Sequence, residues 1–272
     1  MTLLRQRILG QDIHPLYRDV LQRAIGQSYA LPSPACQRLQ NTMVKALYDA
    51  GIWTYFDYLY MFANDGGSLD MGRINWRQPT KPLSASVGTY IHKQGMTGTV
   101  THAFNIVTDK INFNISNPYA SQFAWLTEAG ASILATEHLV ALNIENAGNG
   151  RIHRISLRTN PRVDYCLNTT SAGPAVLYAA YPVDNQFYMT DIGNIAASIT
   201  MTNFINGVQT YILGGTATGV LPDGGSTYTQ LVSPKSMALF GGGYSFNTIS
   251  TTYPALLYQI FQNYMTQLQL LP

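Results

Sequence analysis

From about Leu83 onward, clusters of turn-forming residues recur roughly every 8 to 15 residues, and the segments between them are rich in Val, Ile, Thr, Phe and Tyr. That rhythm leaves room for strands of ordinary length and for little else, so it predicts an antiparallel β-sandwich. Predicted strands cover 87–93, 103–108, 122–126, 139–144, 151–157, 176–180, 186–190, 196–202, 204–213 and 236–240. Asn206 and Gly207, set between Phe204, Ile205 and Val208, Tyr211, make the strongest hairpin turn in the chain.

The surface chemistry agrees with this class. Charged residues make up only 11% of the chain, against about 25% in an average soluble protein. Asn, Thr, Ser, Gln, Gly and Tyr therefore supply the polar cover, a set that suits strands and turns better than long exposed helices. The formal net charge is +2 with no Lys/Arg block, so the electrostatic footprint of a nucleic-acid or anionic-membrane binder is missing. No run of about 20 apolar residues predicts a membrane span. Residues 1–9 contain Arg5 and Arg7 among Leu and Ile, without the apolar core of a signal peptide. Cys36 and Cys166 stand alone, too few and too far apart for a disulfide framework or a cysteine zinc site, and are expected as buried free thiols from a reducing cytoplasm.

Helices are expected at both ends. Over 33–51, Ser33 suits a cap, Pro34 the first turn and Gly51 a left-handed stop, with Leu39, Met43, Leu47 and Ala50 as the inner face. A shorter helix over 15–28 would bury Leu16, Val20, Ala24 and Ile25. An aromatic stretch follows the first long helix, Trp53, Tyr55, Phe56, Tyr58, Tyr60 and Phe62, and reads as a short helix or turn entering a buried segment. A final helix over 254–268 carries Leu256, Leu257, Ile260, Phe261, Tyr264 and Leu268 as one stripe, with Thr251 or Thr252 as cap. The expected organisation is an arm over 1–34 for docking or oligomer contact, a helical and aromatic lead-in over 35–82, and a lectin-like sandwich over 83–272 closed by the last helix.

Three blocks carry a resemblance: Leu47-Tyr48-Asp49-Ala50-Gly51-Ile52-Trp53, then Phe62-Ala63-Asn64-Asp65-Gly66, then Ile74-Asn75-Trp76. They resemble a block of phage virion structural proteins, head-fibre and tail-associated, that precedes a laminin-G-like or concanavalin A-like domain. Phe204 to Val208 resembles the hairpin of such domains, and Leu239-Phe240-Gly241-Gly242 their closing strand. Gly95-Met96-Thr97-Gly98 departs from the Gly-Phe-Thr-Gly of that group. The resemblance implies a mainly β fold, an antiparallel sandwich of jelly-roll or concanavalin type with N-terminal helices and a C-terminal helix. It also implies a place in a virus particle made in the bacterial cytoplasm.

Catalytic constellations are not apparent. A glycosidase of this fold needs two convergent carboxylates, and Glu128, Glu137 and Glu145 do not form the Glu-x-Asp-x-x-Glu pattern. His14, His92, His102, His138 and His153 lack metal-ligand spacing. Gly241, Gly242 and Gly243 lack the Lys-Ser/Thr of a phosphate loop and read as a turn or close strand packing. Asp65 and Asp70 around Gly66, Gly67 and Ser68 read as a plain turn in preference to a calcium loop. Tyr119, Trp125, Tyr181 and Tyr188 are the candidates for stacking on a sugar ring. The expectation is a non-catalytic virion component, a head fibre, capsid decoration or tail-associated protein, with no metal and no cofactor. Its expected partners are other virion proteins, its own copies and host surface glycan, with neither nucleic acid nor membrane among them. A carbohydrate-binding adhesin module is the alternative, and a glycan depolymerase a more distant one.

Overall fold

The computed structural model describes residues 13–80, 89–97, 104–107, 120–127, 137–144, 151–157, 162–166, 173–174, 176–178, 187–192, 208–212, 236–243 and 246–272. Over these the chain combines antiparallel β-sheet with helices at its two ends.

Helix α1 spans Pro15–Gly26 and α2 spans Pro34–Asp49. The N-cap of α2 is Ser33, whose hydroxyl accepts the Cys36 N–H, and Pro34 needs no donor at the first position. Its other end is closed by Gly51 at φ +73°, with Gly51 N–H bonded to the Tyr48 carbonyl and Ile52 N–H to the Leu47 carbonyl. This double closure satisfies two of the orphan carbonyls and sends Ile52 into the core. The buried face of α2 is Cys36, Gln40, Met43, Val44 and Leu47, while Leu39 and Ala50 are only partly covered. Helix α1 buries Tyr17, Val20, Leu21 and Ala24, so Leu16 and Ile25 lie off the expected face, Ile25 being 36% exposed. The segment expected as an arm over 1–34 contains this helix, read from sequence over 15–28, and its buried face joins the core.

After a 3-10 turn at Trp53–Tyr55, strand β1 runs over Phe56–Met61. Strands β2 (Thr89–Ile91), β3 (Gly95–Thr97), β4 (Phe104–Val107), β5 (Ala120–Leu126), β6 (Glu137–Ile144) and β7 (Arg151–Leu157) follow. Then come β8 (Arg162–Cys166), β9 (Gly173–Pro174), β10 (Val176–Tyr178), β11 (Phe187–Ile192), β12 (Val208–Ile212) and β13 (Ser236–Gly243). Helix α3 (Phe246–Ile249) and the long α4 (Tyr253–Leu270) end the chain. The Thr252 side chain makes no capping bond to α4. The strand expected over 196–202 and the Asn206-Gly207 turn lie outside the described residues.

Among the described residues the strands form a seven-stranded sheet, ordered β10-β11-β5-β13-β3-β2 with β1 also on β13, and a six-stranded sheet, ordered β4-β12-β6-β7-β8-β9. Every pairing is antiparallel. Four pairings nest: β3 with β13, β4 with β12, β5 with β11 and β6 with β7, alternating between the two sheets. The chain therefore behaves as one long antiparallel ribbon whose successive rungs fall in alternate sheets, with β8, β9 and β10 inserted between β7 and β11.

The seven-stranded sheet is covered on both faces. On one face Phe56, Phe123, Trp125, Phe187, Met189 and Leu239 join a single core with α1, α2 and α4. On the other, Tyr58, Tyr60 and Phe240 are each at most 2% exposed and pack ring on ring, Tyr58 to Phe240 at 5.0 Å and Tyr60 to Phe240 at 6.1 Å. Strand β13 is buried at every residue. The aromatic stretch expected as lead-in is thus a strand of the sheet itself, paired with β13 from the far end of the chain through Tyr58↔Gly242 and Tyr60↔Phe240.

The glycines of β13 explain that closeness. A Cβ on Gly241 would sit 2.3 Å from the Phe123 ring, and one on Gly243 would sit 2.0 Å from the Tyr55 carbonyl oxygen. These glycines let an aromatic ring and a neighbouring backbone approach, the close-packing role read from the sequence.

Candidate functional site

A buried polar cluster lies where α1, α2, α4 and the turn after β1 meet. Tyr17 Oη donates to Gln40 Oε1 at 2.6 Å, Gln40 Nε2 donates to Tyr264 Oη at 3.2 Å, and Tyr264 Oη donates to the Ala63 carbonyl at 2.7 Å. This chain of donors ties three helices and the sheet together through side chains that are at most 2% exposed. Cys36 Sγ lies 3.9 Å from Tyr264 Oη.

Beside it, Asp65 accepts the Ser33 backbone N–H at 2.8 Å and the Ser33 hydroxyl at 2.5 Å, so one carboxylate holds the residue that caps α2. Asn64 bridges its own turn, accepting the Gly66 N–H at 2.7 Å and donating to the Phe62 carbonyl at 3.0 Å. Its backbone carbonyl accepts from Tyr90 Oη and from the Lys93 N–H. Lys93, at the tip of the β2–β3 hairpin with φ +60°, in turn donates its Nζ to the Leu271 carbonyl, and Gln269 Nε2 donates to the Lys93 carbonyl at 3.0 Å. The Asn64-Asp65-Gly66 turn therefore fastens the start of α2 and, through the hairpin, the end of α4.

The third block acts on the outer edge of β1. Asn75 Oδ1 accepts the backbone N–H of Leu59, Arg77 and Gln78 at 3.2, 3.0 and 3.3 Å, and Trp76 N–H donates to the Leu59 carbonyl at 2.7 Å. Arg77 Nε reaches the Phe56 carbonyl and Gln78 Nε2 the Asp57 carbonyl. These bonds occupy the side of β1 that faces away from β13, closing a sheet edge that would otherwise present free donors and acceptors. The Trp76 ring packs 5.4 Å from that of Tyr17.

The electrostatics of the cluster oppose acid–base or nucleophilic chemistry. Burial pushes the Cys36 thiol up to about 12, so at neutral pH it is protonated and poorly nucleophilic. Burial also raises the Tyr17, Tyr60 and Tyr264 hydroxyls well above the ordinary tyrosine range. Among the described residues no three His, Cys, Asp or Glu side chains converge as metal ligands. Asp65 is engaged with Ser33, and Asp70 accepts from the Ser68 hydroxyl at 3.2 Å.

Of the sugar-stacking candidates, Trp125 is 2% exposed, its ring stacked at 14° and 5.8 Å on Tyr258 and 5.8 Å from Phe187. A ring enclosed this way packs as a core member. Tyr188 lies on β11 in register with Ala124, and Tyr119 and Tyr181 lie outside the described residues. Tyr17, Gln40 and Tyr264 were not singled out from sequence as polar partners. A signal existed in Gln40, which sits at helical spacing between Cys36, Met43 and Val44 on an otherwise apolar face.

A shallow groove of about 240 Å³ runs between α2 and α4, lined by Leu39, Thr42, Ala46, Gln259, Ile260 and Asn263 among others. Its volume is below the roughly 300 to 1,000 Å³ of small-molecule sites. No helix among the described residues is long and apolar enough to cross a membrane. No protein-family model, curated protein or solved structure matches the chain.

Proposed function

We propose that the chain is a non-catalytic structural component of a bacterial virus particle, a head fibre, capsid decoration or tail-associated protein, with its two sheets stacked as a jelly roll. The observation that carries this reading is the nested pairing of β3 with β13, β4 with β12, β5 with β11 and β6 with β7 in alternate sheets. A ribbon wound in that order is the double Greek key of jelly rolls, an architecture used by viral capsid and lectin domains. The buried aromatic layer of Tyr58, Tyr60 and Phe240 on the face away from the helices supports stacking, since a second sheet packed on that face would cover it.

Three further observations favour holding over reacting. The blocks that resemble phage virion proteins have their polar groups engaged in fastening helices, turn and sheet edge. The buried thiol and phenols are held in their neutral forms. A surface with few charges suits subunit contacts, because each unpaired ion buried there costs several kcal/mol. Enclosure of Trp125 in the core weakens the carbohydrate-binding alternative.

Gold-labelled antibody against the purified protein tests the assignment on intact particles. Regular decoration at one site on the particle is the expected result. Undecorated particles, with the protein recovered only from the soluble fraction of infected cells, would refute it.

A further inference from the structure

We propose that one face of the six-stranded sheet binds an acidic polysaccharide, a hydroxyl-rich polymer with carboxylates at intervals, through Arg154 and Arg162 on the neighbouring strands β7 and β8. Arg151, Arg154, Arg158 and Arg162 stand within 12 residues and make up a quarter of the 16 Lys and Arg of the chain. Between Glu145 and Asp184 the sole acid is Asp164.

Strand pairing sorts these residues. Directly opposed residues of an antiparallel sheet share a face, and the face alternates along each strand. The register of β4, β12, β6, β7 and β8 therefore places Asn105, Tyr211, Ala141, Arg154 and Asp164 in one row. His138, Ser156 and Arg162 form the next row on the same face. The opposite face receives Phe104, Ile106, Leu142, Ile155, Val163 and Ile212. With the two sheets stacked as proposed above, the apolar face turns toward Tyr58, Tyr60 and Phe240 and the polar face is the outward one, so the inference rests on that reading for which face is open.

Charge and composition choose the occupant. Arg154 and Arg162 are diagonal neighbours, about 7–8 Å apart in such a ladder, while Asp164 stands directly opposite Arg154. Two cations against one acid do not suit a nucleic acid, whose every phosphate asks for neutralisation by Lys or Arg. The central ground of a protein interface is apolar, whereas these two rows hold amides, hydroxyls and charge. A polysaccharide with spaced carboxylates needs a guanidinium fork for the acid and amides or hydroxyls for the rest of its length. The row from Asn105 to Asp164 crosses five strands, about 19 Å at roughly 4.8 Å per strand. Tyr211, between Asn105 and the small Ala141, adds an aromatic residue for a sugar ring, and it was not among the stacking candidates read from the sequence.

The test measures binding of the full chain to immobilised hyaluronate, alginate and polygalacturonate, with dextran, oligothymidylate and inorganic phosphate as comparisons. At least one of the three uronate polymers is expected to bind about tenfold more tightly than dextran or oligothymidylate. Arg154→Gln/Arg162→Gln is expected to lose about tenfold of that affinity, the worth of a charge-assisted hydrogen bond. Asp164→Asn removes the opposing acid and is expected to tighten binding, a gain that a damaged fold cannot imitate. Circular dichroism checks that each variant keeps the wild-type fold. Retention of none of the three polymers, equal binding of oligothymidylate, full competition by inorganic phosphate at the polymer's own carboxylate concentration, or an Asp164→Asn variant that binds no better would overturn the site. Antibody decoration of particles reads the virion assignment separately and is unaffected by any of those outcomes.

Discussion

Ser28 occupies the left-handed region at φ +59°, two residues after the glycine that ends α1. Its N–H bonds to the Ile25 carbonyl and the Tyr29 N–H to the Ala24 carbonyl, so the helix closes as α2 does but with a side chain where glycine is favoured. A left-handed conformation costs a non-glycine residue about 1–2 kcal/mol. Gly26 lies inside the helix, where a Cβ would meet nothing within 4 Å. Exchanging the two residue types should therefore help at both positions. Ser28→Gly and Gly26→Ala are each expected to raise stability by up to about 1 kcal/mol in urea denaturation. Gly243→Ala should do the reverse by about 1–3 kcal/mol or more, because the added methyl meets the Tyr55 carbonyl, which cannot rotate away.

At the scale of elements, the clamp on β1 makes the sharpest claim. Asn75→Ala removes the acceptor of three backbone N–H groups beside a buried strand, with an expected loss of about 2–3 kcal/mol. Amide hydrogen exchange should show the loss as faster exchange at Leu59, Arg77 and Gln78, and unchanged exchange there would contradict the clamp. The same strand shows why sequence reading stopped where it did. Helix α2 was legible at both ends because Ser33, Pro34 and Gly51 signal locally, and β7 was legible over its full length as 151–157. Strand β1 was not legible as a strand because both faces of its sheet are covered. Alternation of apolar and polar residues disappears when Tyr58, Leu59, Tyr60 and Met61 are all buried. In the same way, Tyr17–Gln40–Tyr264 joins residues 23 and 224 positions apart, a distance no local pattern can signal.

For the whole molecule, the buried neutral groups set a pH dependence. Cys36 is raised from 9.0 to about 12 in the fold, so the stability gained by burying its thiol is complete below pH 9 and is lost as pH rises toward about 12. Tyr17 and Tyr264, raised by burial in the same cluster, act in the same direction. At pH 8 iodoacetamide is accordingly expected to leave Cys36 unmodified in the folded protein and to alkylate it in denaturant, as read by peptide mass. The early helices, first strand and last helix share one core, which couples segments far apart in the sequence to one folding unit. The central claim, that this unit is a jelly roll serving as a particle component, is tested most directly by electron cryomicroscopy of the virus particles at side-chain resolution. The account predicts repeated copies of two stacked sheets with the β3-β13-β5-β11 and β4-β12-β6-β7 orders and helices over the first sheet. Particles whose density holds no such unit, or a copy whose two sheets lie apart without stacking, would contradict it.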